Sequence, residues 1–142
     1  MSQVFCTSDT HFFHSDAIKF WRETRIKYGE TVDEMNAKMV ETWNAVISPE
    51  DVVYHLGDVA FGKLSLSVPL IRSLNGRKIL ISGNHDFRAI KNPQFLACFE
   101  EVHHYYYEMK VNSTKIVMSH FPISQWNCER FGAIHLHGHL HG

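Results

Sequence analysis

The stretch Ile79-Leu80-Ile81-Ser82-Gly83-Asn84-His85-Asp86 constrains the fold of this chain more than any other. A short apolar run of this kind reads as a strand covered on both faces, and it stops at Gly83, where three side chains able to bind a metal or carry a proton follow at once. Such strands belong to α/β layers, whose ligands sit in the crevice beyond the carboxyl ends of the strands. Residues 83–86 are therefore expected to floor a site.

The same arrangement recurs along the chain. Residues 4–8 read as a first strand ending in Asp9-Thr10-His11, and Asp9 and His11, two positions apart, point to one side of an extended backbone. A helix cap is the competing explanation for Asp9. Residues 16–25 suit a short helix that carries Ile18, Phe20 and Trp21 toward the core. Thr31-Val32-Asp33-Glu34 matches a capping box, and Met35, Met39, Trp43, Val46 and Ile47 follow at helical spacing as core packing, so this helix should stop before Ser48-Pro49. Residues 51–56 form a second strand ending in Gly57-Asp58. A helix over 68–74 takes Pro69 in its first turn and stops at Asn75-Gly76, and residues 77–82 are the third strand. This alternation predicts a parallel layer with right-handed crossovers and its carboxyl ends on one edge.

Residues 87–99 read as loops and short turns, and beyond them the pattern changes. Residues 101–110 and 115–119 look like a β-hairpin turning at Asn112-Ser113, with the second arm ending at His120-Phe121-Pro122. Residues 133–137 are a last strand running into Gly138-His139-Leu140-His141. No repeat or linker marks a boundary, and 142 residues with 44% hydrophobic content suit one domain, 1–142, around one core.

Composition then narrows the function classes. Lys plus Arg (14) against Asp plus Glu (15) leaves a formal charge of -1, which disfavours a non-specific nucleic-acid coat while leaving nucleic acid open as a partner through a local basic patch. Cys6, Cys98 and Cys128 are odd in number and widely spaced, so neither a disulfide framework nor a thiolate zinc site is indicated, which suits a cytoplasmic location. The amino terminus lacks a basic signal-peptide region, and no apolar run approaches the ~18 to 20 residues of a membrane span. The outlier is histidine, present eleven times. Imidazole is both a common metal ligand and the usual proton carrier near neutral pH.

Five strand tips end in oxygen or imidazole donors: Asp9 and His11, Asp58, Asn84 and His85, His120, then His139 and His141. Mixed carboxylate, amide and imidazole ligands without thiolate suit Mn, Fe, Zn or Ni better than Ca. So many donors exceed the needs of one ion that also holds water, but they fit two ions about 3.5 to 4 Å apart, as in phosphatases and nucleases.

In order along the chain, Asp9-Thr10-His11, Gly57-Asp58, Gly83-Asn84-His85-Asp86, His120 and Gly138-His139-Leu140-His141 resemble the calcineurin-like metallophosphoesterase family over nearly the whole sequence. The resemblance implies an α/β fold of four layers, αββα, with two mixed β-sheets flanked by helices. It implies Asp9, His11 and His141 on a first metal, Asn84, His120 and His139 on a second, and Asp58 bridging both. Two divalent transition-metal ions, Mn first, with Fe, Ni or Zn as alternatives, would hold phosphate oxygens while a shared water attacks phosphorus. His85, which the family keeps off the metals, would stabilise the pentacoordinate charge or protonate the leaving group. Asp86 would orient His85 or cap the following turn.

The remaining expectations are looser. His14 is a solvated loop residue or a phosphate contact; His55, His135 and His137 pack behind the site; Arg22, Arg25 and Lys27 form a phosphate-contacting patch or a solvated helix face. Substrates that fit are a phosphodiester, a nucleotide or another small phosphorylated molecule, and oligomerisation is open. An interaction scaffold on the same fold is the alternative to an enzyme. Members of the family continue past the last histidine block with strands that complete the second sheet, whereas Gly142 follows His141 here. That predicts a minimal version, an edge covered by another chain, or a looser first-metal site.

Overall fold

A computed structural model describes residues 1–141, so the expectation attached to Gly142 falls outside the described residues. Strands β1 (Val4–Thr7), β2 (Val52–His55), β3 (Arg77–Ser82) and β4 (Glu101–His104) lie parallel in the order β1-β2-β3-β4. Strands β5 (Tyr106–Val111), β6 (Thr114–Ser119) and β7 (Ile134–His137) form a second sheet, antiparallel between β5 and β6 and parallel between β6 and β7. Five α-helices accompany them among the described residues: α1 (Ala17–Phe20), α2 (Arg22–Arg25), α3 (Val32–Val46), α4 (Leu64–Ser73) and α5 (Pro93–Leu96). The result is a mixed α/β fold of two sheets with flanking helices.

The apolar run of β3 is buried on both faces because it has a layer on each side. Ile79 and Ile81 join Tyr54, Leu56 and Met118 between the two sheets, while Leu80, pointing the opposite way, packs with Val68 and Ile71 of α4 and with Phe95 and Phe99. The outward row of the second sheet, Glu108, Val117 and His135, is covered by the segment from 121 to 133. There the Ile123 amide donates to His135 Nε2 and Asn127 donates to Glu108. At α3, Thr31 Oγ1 accepts the Glu34 amide at 3.2 Å and Glu34 returns the favour to the Thr31 amide at 3.2 Å, as the capping-box pattern requires.

Three local expectations need correction. Residues 101–110 are not one hairpin arm: Tyr105, with φ of 63°, breaks them into β4 in the first sheet and β5 in the second. The helix expected over 68–74 begins at Leu64, so Pro69 sits inside it; the bond it forfeits belongs to the carbonyl of exposed Ser65, which water can satisfy. The helix expected over 16–25 is two single turns broken at Trp21, which leaves Phe20 exposed and turns Trp21 toward the strand tips. No described helix is long and apolar enough to cross a membrane.

Candidate metal centre

The loops beyond β1, β2 and β3 are tied to one another by backbone bonds. The Asp9 amide donates to the Gly57 carbonyl at 2.9 Å and the His11 amide to the Asp58 carbonyl at 3.1 Å. Close approach is possible because two tips carry glycine. A Cβ on Gly57 would overlap the Gly83 backbone, and one on Gly83 would fall on the Asp58 carboxylate. Asp9, His11, Asp58, His139 and His141 all take positive φ, between 49° and 72°. Each such non-glycine residue costs roughly 1 to 3 kcal/mol, and that strain persists only where surrounding structure enforces it, most often at functional sites.

The side chains of these loops converge in two groups. Asp9, His11 and His141 bring ligand atoms within 4.8 Å of one another, as do Asp58, His120 and His139. Asp9 Oδ1 lies 3.6 Å from His11 Nε2 and 3.3 Å from His141 Nε2. Asp58 Oδ2 is common to both groups, 3.6 Å from His11 Nε2 and 3.4 Å from His120 Nε2. Asn84 Oδ1 stands 2.9 Å from His120 Nε2, on the second group. His85 is exposed and its ring belongs to neither group; its backbone amide donates to Asp58 Oδ1 at 2.9 Å.

These residues fit metal ions. Asp9 Oδ1 and His11 Nε2 are buried and have no hydrogen-bond partner, although they face each other and a second carboxylate. A buried polar atom left unpaired is costly, and a cation between these atoms would satisfy both. His120 Nδ1 donates to the Leu56 carbonyl at 2.7 Å, which leaves Nε2, beside Asp58 and Asn84, as the ring nitrogen available to a metal. Four imidazoles, two carboxylates and an amide without thiolate form a donor set for transition metals.

Comparison with known proteins decides the family. The sequence profile of calcineurin-like phosphoesterases matches residues 2–112. The chain belongs to this family. It is 32% identical over 143 residues to an uncharacterised protein of Methanocaldococcus jannaschii, the match covering 99% of this chain and 70% of that one. It is 29% identical to the gene 66 protein of Mycobacterium phage L5, over 99% of this chain and 78% of the phage protein. The crystal structure of a protein of unknown function from Aquifex aeolicus superposes with a TM-score of 0.66 at 30% identity, covering 84% of this chain. The chain spans 60% of the length of that protein. As a family, calcineurin-like phosphoesterases carry out metal-dependent phosphoester hydrolysis, and the two donor groups are where this member can bind divalent metals.

Around the donors of this family member lies a frame that sequence reading largely missed. Asp86 Oδ2 accepts the amides of Gly83 at 2.7 Å and Asp58 at 2.8 Å, and Oδ1 accepts that of Val59 at 3.0 Å. Both oxygens are therefore spent on backbone, stapling the loop after β3 to the loop after β2. His55 does the same for the loop after β1: Nδ1 accepts the Gly57 amide, so Nε2 carries the proton to Thr10 Oγ1 at 3.0 Å, and that hydroxyl donates to the Val59 carbonyl. Burial pushes the His55 imidazole down to about 4, so this relay stays neutral. Arg25 is buried, not part of a solvated patch, and its guanidinium donates to the carbonyls of Thr10 and Asp9. His14 is no free loop residue either: its Nδ1 lies 3.0 Å from His11 Nδ1 and its ring stacks on Phe61. Trp21 lies flat on the His141 imidazole, centroids 3.8 Å apart and planes within 4°. Aromatic residues near histidines carry no spacing signal, so only the folded chain reveals these partners.

Charge in the site follows from the same contacts. Burial would raise the Asp9 carboxyl, but His11, Ser8, the His139 amide and His141 outweigh it and hold Asp9 at about 2. Asp58 is held well below the usual carboxylate range: burial opposes this, and His11, His120 and the His85 amide prevail. Burial pulls His11 and His120 down, yet the carboxylates they face leave both raised above the ordinary imidazole value. A proton on either ring competes with a metal for the same nitrogen, so metal binding favours its release.

Proposed function

We propose that the protein is a binuclear metal-dependent phosphoesterase that hydrolyses a phosphodiester or a small phosphomonoester. The observation that carries the reading is the sharing of Asp58 Oδ2 between His11 and His120, with the partnerless Asp9 Oδ1 and His11 Nε2 beside it. In this reading Asp9, His11 and His141 hold one ion, Asn84, His120 and His139 hold the other, and Asp58 reaches both. Bound divalent ions, manganese first and iron, nickel or zinc as alternatives, supply positive charge for phosphate oxygens and a water acidified to near-neutral pH.

The chain's own groups do the rest. Asp58 keeps the two donor groups in register, because its backbone is pinned by Asp86 while its carboxylate faces both imidazoles. Asn84 donates an uncharged oxygen, which leaves the site less negative than a third carboxylate would. His85 stands exposed at the same loop, its amide anchored on Asp58 Oδ1, so its imidazole is available to protonate the leaving oxygen or to stabilise charge on phosphorus. Asp86 is a positioning residue for Asp58 and its loop.

The test is hydrolysis of aryl phosphate mono- and diesters by metal-stripped protein with Mn, Ni, Zn or Mg added back. Metal-dependent turnover is expected. Stoichiometric metal binding with no turnover of either ester class would favour a non-catalytic interaction scaffold on the same fold.

A further inference from the structure

The carboxyl end of β4 lies on the same edge as those of β1 to β3, since all four strands run parallel. Its tip carries Tyr105, an aromatic residue where the others carry metal donors. Tyr105 takes φ of 63° as the chain leaves one sheet for the other. Glycine or asparagine would make that turn with little strain, so a tyrosine backbone held there places a side chain at this spot against a conformational cost.

The Tyr105 ring stacks on Phe121, centroids 5.8 Å apart and planes within 14°. Phe121 in turn meets the imidazoles of His120 and His139 edge to face, at 5.1 Å and 4.8 Å. The pair is also fixed in the backbone. The His120 amide donates to the Tyr105 carbonyl and the Ser119 hydroxyl to the Phe121 carbonyl. Yet Tyr105 keeps 42% and Phe121 40% of its surface exposed. A rigid, open aromatic pair against two metal-facing imidazoles is a stacking surface, and any flat ring can use it.

We infer that Tyr105 and Phe121 form the platform on which the base of a small nucleotide phosphoester stacks while its phosphate lies at the second donor group. This rests on the proposed phosphoesterase activity. A base suits the geometry better than a ring esterified directly to phosphorus. The platform is displaced from the donor atoms by the width of an imidazole, and the sugar of a nucleotide bridges such a gap. The formal charge of -1 on the chain favours a short nucleotide over a long polyanion.

Two measurements test the inference. The first compares kcat/KM for the p-nitrophenyl ester of thymidine 5′-phosphate with that for methyl p-nitrophenyl phosphate, which shares the leaving group but has no base. The second compares the affinities of thymidine 5′-phosphate and ribose 5-phosphate by calorimetry on the metal-loaded protein. We expect both ratios to favour the base by about tenfold, within the range for stacking of a base on an aromatic side chain. Phe121→Ala and Tyr105→Leu should bring each ratio to within about twofold of one, and Phe121→Trp should restore it, with circular dichroism confirming the fold of each variant. Turnover of both esters with ratios near one in the wild type, or ratios that survive in Phe121→Ala and Tyr105→Leu, would overturn the inference and leave the phosphoesterase reading standing. No turnover of either diester, together with none of an aryl phosphate monoester, would sink both.

Discussion

Replacing Asp86 with Asn separates two jobs that this carboxylate, next to the proposed catalytic His85, could do. Asp86 is 1% exposed and accepts three backbone amides, those of Gly83, Asp58 and Val59. Asn fills the same volume, but its single carbonyl oxygen can serve at most the two amides now on Oδ2, and its NH2 group is then aimed at the Val59 N–H. One buried donor left unpaired costs about 1 to 3 kcal/mol, and two hydrogen bonds lose their charge assistance. Burial, and with it the neighbouring Asp58 charge, pushes the Asp86 carboxyl up despite those amides, so removing its charge recovers part of this loss. The net expectation is a destabilisation of ~2 kcal/mol. It is measured by urea unfolding of metal-stripped protein at pH 7.5. Because the Asp58 amide loses its anchor, affinity at both metal positions should fall by about tenfold in the same variant, a 1.4 kcal/mol effect. Unchanged stability and full metal occupancy with a large drop in turnover would refute this, and would show that Asp86 acts on His85 instead.

Further substitutions probe the other roles. His85→Ala should lower turnover by ~100-fold or more with metal stoichiometry unchanged, and loss of metal would mean His85 is a ligand. Asp58→Asn should weaken both metal positions together in a metal titration; one ion retained at full occupancy would argue against sharing. His55 gives a pH signature in the metal-free protein. Its folded value of about 4 lies below the ordinary 6.5, so the unfolded chain takes up the proton first. Its contribution is intact above about pH 6.5 and is lost as pH falls toward 4, by about 1.4 kcal/mol per unit and ~3 kcal/mol in all. His55→Gln should lack this component, and unfolding curves for the two proteins that stay parallel from pH 7 to 4.5 would refute it.

The elements legible in the sequence were those whose signal is local. The run at Ile79 to Ile81 announced a strand buried on both faces, and the layers above and below it are there. Thr31 and Glu34 announced the start of α3. What the sequence hid were decisions made by packing. The β-pattern runs on from Glu101 to Lys110, and nothing local says that residue 105 belongs to neither sheet; the parallel partner β3 on one side and the antiparallel partner β6 on the other impose the break. Likewise residues 16–25 have helical periodicity, but a continuous helix would not lay Trp21 on His141 and send the Arg25 guanidinium to the carbonyls of Asp9 and Thr10.

For the site, chemistry and placement were legible to different degrees. Donor side chains stood out because imidazole and carboxylate at strand tips are chemically conspicuous, and Asp9, His11, Asp58, Asn84, His120, His139 and His141 do converge in the folded chain. Their supports were opaque because each acts through a partner remote in sequence. His55 meets Thr10 across 45 residues and Asp86 meets Asp58 across 28. The same physics explains why the ligand backbones tolerate positive φ. With Asp86, His55 and Arg25 together engaging seven backbone or hydroxyl groups of the loops after β1, β2 and β3, the frame holds the strained turns at Asp9, His11 and Asp58 in place before any ion arrives. A site built in this way would bind metal without first having to order its loops. Mutating the frame should therefore weaken metal binding even where no donor is touched.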